Sequence, residues 1–295
     1  MKLKNLNQAA SYYFHISGAA ENTNRSSRYE NHIKDILGDK SINDIDHDEV
    51  QYLITTLQKK DLSDQYIDNM IAMLKSIMNK AATKDLSIRI HPSIKSVKKL
   101  YKSNEINKTF TKDQLQELFK AAHKKSDQLG TIVELLYYTG ARPKGLLSLV
   151  AADVDFHDNT ITFPSMKGAG SYQQPMRKET ADLLRKHIEK NNIRPSQYLF
   201  VVSEGSTREH AMTYNELATR TNILFKPFNI NVPKGAKYNK KRLTLYSLRH
   251  TIITEMVQVM SPAVVQKYIN HSILETTQKY INIGHNEVQS ALDNL

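Results

Sequence analysis

Apolar residues recur at helical spacing through most of the first hundred positions. Leu6, Ala9, Ala10 and Tyr13 outline a short amphipathic segment. Ala19 to Ser27 is small and polar and reads as a loop, followed by a helix over Arg28 to Leu37. Asp46-x-x-Glu49 has the form of a capping box. Val50, Leu53, Ile54 and Leu57 follow at i, i+3, i+4 and i+7, the stripe of a helix with one buried face. Ser63 caps the next helix, in which Ile67, Met70, Ile71, Leu74, Ile77, Met78 and Ala81 keep the same period. No alternating pattern of the strand type occurs before residue 100. The segment Ile94 to Asn107 carries Lys95, Lys98, Lys99 and Lys102 on a weak period, and reads as a basic linker.

Beyond it the pattern opens a second domain. Thr111-x-x-Gln114 is another capping box, and Leu115, Leu118, Phe119 and Ala122 give that helix a buried face. Ile132 to Tyr138 reads as a second, fully buried helix, Thr139-Gly140 ends it, and Pro143 starts a helix that runs through Leu149. The period then changes to two. Val154 to Phe156, Thr160 to Phe163 and Tyr172 to Met176 read as strands, with turns at His157-Asp-Asn159 and Lys167-Gly-Ala-Gly170. Helices return over Arg177–Lys190, Tyr214–Phe225, Leu245–Met260 and Pro262–Tyr268, the last capped by Ser261, and Thr276–Ile281 carries a tyrosine. Pro233 to Arg242 is a basic loop. The fold class is therefore mainly α with a small antiparallel β-sheet: a helical domain over 1–103, with a short N-terminal extension and the basic linker, then a mixed domain over 104–295.

Composition narrows the function. Among 295 residues there is no cysteine, which removes disulfides, thiolate zinc sites and cysteine nucleophiles and fits a cytoplasmic protein. The longest apolar run is too short for a bilayer, and the N-terminus lacks the apolar core of a signal peptide. A formal charge of +11 points to a polyanionic partner, nucleic acid first.

The candidate chemistry is concentrated in the second half. Arg142 follows a helix-ending glycine and is displayed at an element boundary. Lys167 sits at a Gly-rich hairpin tip. Arg249 lies inside an apolar helix, where it must be paired or face a ligand because an unpaired buried charge is costly. Tyr246 is three residues earlier on the same face. His271 follows a short helix, and Tyr280 is nine residues further on. Each of these has an ordinary explanation when taken alone; with 15 tyrosines in the chain, none is a nucleophile by default. Together they suit a phosphodiester: guanidinium forks for its oxygens, proton carriers, and a phenol that can attack.

In this order and on these elements, the set resembles the tyrosine recombinase (phage integrase) family. Thr139-Gly-x-Arg142 with Leu146 and Leu149 is similar to the family's first arginine box, Ser247-Leu-Arg249-His250-Thr251 to the second, and His271-Ser272, Thr276-Thr277 and Tyr280 to the last. The resemblance covers about 110–285; the preceding helices match the family's core-binding domain by position and helix content. Three positions depart from it. Tyr246 stands where a histidine is usual, Gly145 where an acidic residue follows the first arginine, and Asn270 where a glycine precedes the histidine.

The resemblance implies a site-specific DNA recombinase. Arg142 and Arg249 would bracket the phosphate with His271 as a further donor, Lys167 would protonate the leaving 5′ oxygen, Tyr246 would contact a phosphate oxygen, and Tyr280 would form a 3′-phosphotyrosyl link. It implies no metal or nucleotide cofactor. It implies double-stranded recombination sites as substrate, a homotetramer on synapsed DNA with the tail after Tyr280 as a docking segment, and accessory DNA-bending proteins. The N-terminal part is too short for an added arm-binding domain. Two alternatives stay open from sequence: type IB topoisomerase-like relaxation, and a catalytically impaired DNA-binding protein of the same fold.

Overall fold

The structure is a computed structural model that describes residues 2–17, 23–101, 108–164, 170–202, 208–229, 242–271, 274–278 and 280. The chain divides into two compact units, Met1–Ser103 and Asn104–Leu295.

The first unit is helical throughout. It contains α1 (Leu6–Ile16), α2 (Thr23–His32), α3 (Lys34–Leu37), α4 (His47–Lys59) and α5 (Asp64–Lys84). The two stripes read from sequence are the core: Val50, Leu53, Ile54 and Leu57 are buried on α4, and all seven expected residues are buried on α5, with Met73 in addition. Asp46 caps α4 by accepting from the Asp48 and Glu49 amides. The expected box is not closed, because the Glu49 carboxylate reaches Lys40 Nζ instead, at 2.8 Å. On α1 the fourth buried residue is Phe14, not Tyr13.

The expected loop over 19–27 is corrected in part. Helix α2 already runs from Thr23, and the helix expected to continue to Leu37 breaks at Ile33 into α2 and α3. The first turns of α2 have no apolar residue to show a period. Further along, Tyr29 is buried and donates its hydroxyl to Asn7 Oδ1 at 2.9 Å, tying α2 to α1. The basic linker is also partly structured. Pro92–Ser96 forms a 3-10 turn with Ile94 buried, and the Leu100 and Tyr101 amides donate to the Asp68 carboxylate at 3.0 Å each. Lys95, Lys98 and Lys99 remain exposed.

The second unit holds α6 (Lys112–Lys125), α7 (Asp127–Thr139), α8 (Pro143–Leu147), β1 (Val154–Asp155), β2 (Thr160–Phe163), β3 (Tyr172–Pro175), α9 (Lys178–Lys190), α10 (Tyr214–Phe225), α11 (Leu245–Val259), α12 (Pro262–Tyr268) and α13 (Leu274–Gln278). The Thr111/Gln114 capping box is closed in both directions. Helix α8 stops at Leu147, short of the expected Leu149, and Ser261 at the start of α12 makes no side-chain cap bond. The strands form an antiparallel sheet in the order β1-β2-β3, with Phe163 opposite Tyr172. Those two rings stack at 5.0 Å, a cross-strand pair that fixes the register of β2 and β3. Phe163 and Phe200 are fully buried in the same core as Leu118, Ile132, Leu135, Leu146 and Leu248. The fold class expected from sequence is the one found: mainly helical, with a small antiparallel sheet. No helix among the described residues is long and apolar enough to cross a membrane.

Candidate active site

The site is assembled where α7 and α12 end against the middle of α11. Helix α7 stops because Gly140 takes the left-handed conformation, φ 60°. The Thr139 hydroxyl accepts from the Ala141 amide at 3.1 Å and shapes the turn behind it. Arg142 then becomes the residue that starts α8; its side chain is exposed and makes no ion pair among the described residues.

Helix α12 stops in a related way. Asn270 has φ 49°, and His271 donates its amide to Gln266 O at 3.0 Å. Asparagine is the side chain that best tolerates this left-handed region after glycine. The departure noted from sequence therefore keeps the backbone shape that a glycine would allow.

Arg249 joins the two helix ends. It is 6% exposed, and its guanidinium donates through Nη1 to Gly140 O and through Nη2 to Ile269 O, the latter at 3.1 Å. Helix C-termini present unpaired carbonyls and a partial negative charge, so a cation between two of them is doubly suited. Burial, with the Arg142 charge next, lowers the guanidinium to about 10, which still leaves it charged at neutral pH. Gln174 on β3 repeats the clamp one residue back along both helices. It is 1% exposed, and its Nε2 donates to Thr139 O and Tyr268 O at 2.9 Å each. Sequence reasoning missed Gln174; in a strand of alternating polarity nothing marks it except that a glutamine lies on the buried face.

Tyr280 lies just past α13. Its ring packs with Ile252, Ile253, Met256, Val265 and Ile269, and it is 9% exposed. Its hydroxyl shares a 2.7 Å hydrogen bond with His250 Nδ1. The His271 ring lies nearly parallel to it with centroids 6.3 Å apart, and His271 Nδ1 is 2.9 Å from Thr277 Oγ1. Burial raises the phenol to about 12, opposed by the charges of Arg249 and Arg142. Both histidines are held at about 4, by burial first and then by Arg249. Both are therefore neutral at pH 7.

Of the six residues singled out from sequence, Arg142, Tyr246, Arg249, His271 and Tyr280 share one electrostatic neighbourhood: Arg142, Tyr280 and Tyr246 all act on Arg249, and the two arginines act on His271. Tyr246 is 43% exposed, with its ring 6.3 Å from that of Tyr214. Lys167 lies outside the described residues, as do the 233–241 part of the basic loop and the tail after Tyr280. Gly145 is buried, and a Cβ there would meet Phe163 Cδ1 at an ordinary 3.7 Å. No carboxylate comes to Arg142 from that position.

The turn at Gly140 carries a direct test. Alanine there would have to hold a positive φ, and its Cβ would press on Ile252 Cγ2 and Ile269 Cγ2 at 3.2 and 3.3 Å. Gly140→Ala should lower stability by ~1–2 kcal/mol from the left-handed backbone alone, read as a drop in the thermal midpoint. An unchanged midpoint would count against this account of the turn.

Two buried-end helices clamped by an arginine, two neutral histidines and a phenol, all on a helical domain with a three-stranded sheet, define a tyrosine recombinase catalytic fold. The chain belongs to the phage integrase family, whose sequence model matches residues 108–287. It is a site-specific DNA recombinase. A tyrosine recombinase of Thermosipho africanus is 24% identical over 298 residues, covering 96% of both chains. Tyrosine recombinase XerA of Pyrococcus furiosus is 27% identical over 191 residues, 63% of this chain and 61% of that one. Among solved structures, the Tn1549 transposon integrase in complex with a circular intermediate DNA superposes with a TM-score of 0.77 at 18% identity, covering 99% of this chain and 100% of that one. A lambda integrase dimer bound to a COC′ core site gives 0.64 at 16% identity, covering 94% and 77%.

Proposed function

We propose that Tyr280 is the nucleophile of this recombinase and that Arg142, Arg249 and His271 hold the scissile phosphate beside it. The observation that carries this reading is that the phenol lies within electrostatic reach of both guanidinium groups, although Arg142 is more than a hundred residues from Arg249 and Tyr280 in sequence. Displacement at a phosphodiester passes through a more highly charged phosphorus centre. Donors aimed at that developing charge are the largest catalytic contribution in such sites. The Tyr280 oxygen attacks phosphorus, the bond to the 5′ oxygen breaks, and Lys167 supplies the proton that oxygen takes. The product is a 3′-phosphotyrosyl link, which conserves the bond energy for rejoining to a new 5′-hydroxyl. No step requires a metal ion or a nucleotide. Tyr246 contacts a phosphate oxygen as a hydrogen-bond donor; a phenol is a poor base at neutral pH.

In this reading residues 1–103 are the core-type DNA-binding domain and 104–295 the catalytic domain, and the two act on recombination sites in the cytoplasm as a homotetramer. The tail after Tyr280 docks on a neighbouring protomer, and accessory DNA-bending proteins assist. The solved complexes of the Tn1549 and lambda integrases with DNA support the choice of substrate.

The test uses duplexes with a randomised central segment and a nick in one strand, so that the cut fragment diffuses away and the protein is trapped. Denaturant-resistant adducts are recovered, their DNA sequenced and their peptide mapped. The expected attachment is at Tyr280, to a 3′ DNA end. Attachment at another residue, or no adduct at any sequence, would overturn the assignment.

A further inference from the structure

We propose that His250 is the catalytic base of the cleavage step, taking the phenol proton as Tyr280 attacks. This rests on Tyr280 being the nucleophile. The position where the resembled family has a histidine, three residues before the second arginine, holds Tyr246, whose phenol is a poor base at neutral pH. The structure supplies a different imidazole. His250 Nδ1 lies 2.7 Å from Tyr280 Oη, the distance a proton transfer needs. His271, the other imidazole near the phenol, directs its Nδ1 to Thr277 Oγ1 rather than to Tyr280.

Geometry makes the two neighbours on α11 divide the work. Successive residues on a helix point about 100° apart, at ~3.6 residues per turn. Arg249 enters the gap between α7 and α12, while His250 turns toward Tyr280. The groups facing His250 are Arg249 on its own helix, Lys108 ahead of α6, and His271 and Tyr280 from the C-terminal side. The imidazole is neutral at pH 7, and in the tautomer protonated on Nε2 its Nδ1 accepts from the phenol. An incoming phosphodiester adds negative charge to this cationic surround and raises the imidazole's proton affinity when it is needed.

The step balances. A lone pair of Tyr280 Oη forms the bond to phosphorus, and the Oη proton passes to His250 Nδ1, giving an imidazolium. The bond from phosphorus to the 5′ oxygen breaks, and that oxygen takes a proton from the general acid assigned above. In rejoining, the incoming 5′-hydroxyl gives its proton back to that same group and displaces Tyr280, and the imidazolium returns its proton to the phenolate.

The experiment uses the full chain and the DNA sequence recovered from the randomised duplexes. His250→Asn keeps an acceptor close to the Nδ1 position but cannot carry a proton; His250→Ala removes both. Adduct formation by His250→Asn should fall ~10²–10⁴-fold, the range for a general base, with DNA binding retained. Wild-type cleavage should be level near neutrality and lost as pH falls, through a value between about 4 and the ordinary 6.5. The variant should lose that acid limb and rise with pH instead. Replacing Tyr280 by a fluorinated tyrosine, whose phenol ionises more easily, should narrow the gap between His250→Asn and the parent chain. His250→Asn cleaving at the wild-type rate would overturn the proposal. So would an equal loss at every pH that the fluorinated phenol leaves unchanged, because that is the signature of a purely structural role. An adduct mapped to a residue other than Tyr280 in the unmutated chain would instead defeat the nucleophile assignment, and is read before any histidine variant is made.

Discussion

Tyr280→Phe should bind DNA as the parent chain does and form no covalent adduct. The substitution removes one oxygen and leaves the ring among Ile252, Ile253, Met256, Val265 and Ile269. Packing is therefore preserved, and the structural consequence is confined to the 2.7 Å hydrogen bond with His250. Leaving that half-buried nitrogen without its partner costs ~1–3 kcal/mol at most. DNA affinity depends mainly on cationic side chains along the phosphate backbone, none of which is touched. The measurement pairs a gel-shift titration with a denaturing gel on the same DNA. Residual adduct in the variant would mean that another side chain attacks, and the site would have to be rebuilt around it.

The second large effect is expected at Arg249, and it should appear in both activity and stability. Arg249→Lys keeps the charge but replaces a planar fork with a single ammonium. One nitrogen cannot span Gly140 O and Ile269 O as the guanidinium does. A carbonyl left unpaired in this buried position costs ~1–3 kcal/mol. The phosphate also loses a fixed donor, worth ~2.7–4 kcal/mol in the transition state, so cleavage should slow by ~10²–10³-fold. Arg142→Lys is the contrast. Arg142 is exposed and holds no backbone carbonyl among the described residues, so the same exchange should slow cleavage with little change in the unfolding midpoint. Rates from single-turnover adduct formation and midpoints from thermal melts separate the two. Arg249→Lys cleaving at the wild-type rate would show that the buried arginine serves the helix ends alone.

These two arginines, one from each box, sit in different surroundings. Both were visible as charged residues in informative places: Arg142 after a helix-ending glycine, Arg249 inside an apolar helix. That Arg249 needed a partner followed from the cost of burying charge. That its partners are the carbonyl ends of α7 and α12 did not, because those ends lie 109 and 20 residues away. Gln174, making the second pair of bonds to the same helix ends, had no mark in the sequence at all.

What the sequence determined by itself is whatever is repeated or local. The stripes of α4 and α5, the closed capping box at Thr111, the alternation of β2 and the order of the arginine, histidine and tyrosine boxes all depend on spacing within a few turns, so they could be read directly. Where local pattern was absent the reading failed. The polar start of α2 belongs to a helix that Tyr29 ties to α1 through Asn7, and Glu49 leaves its box because Lys40 is within reach. Tertiary structure alone decided the chemistry of the phenol. His250 and Tyr280 are 30 positions apart, and only the packing of Tyr280 against α11 brings them together. The same packing buries both, which holds the imidazole neutral and the phenol protonated. Proton affinity is a property of surroundings, and surroundings are set by chain segments that have no sequence signal for one another.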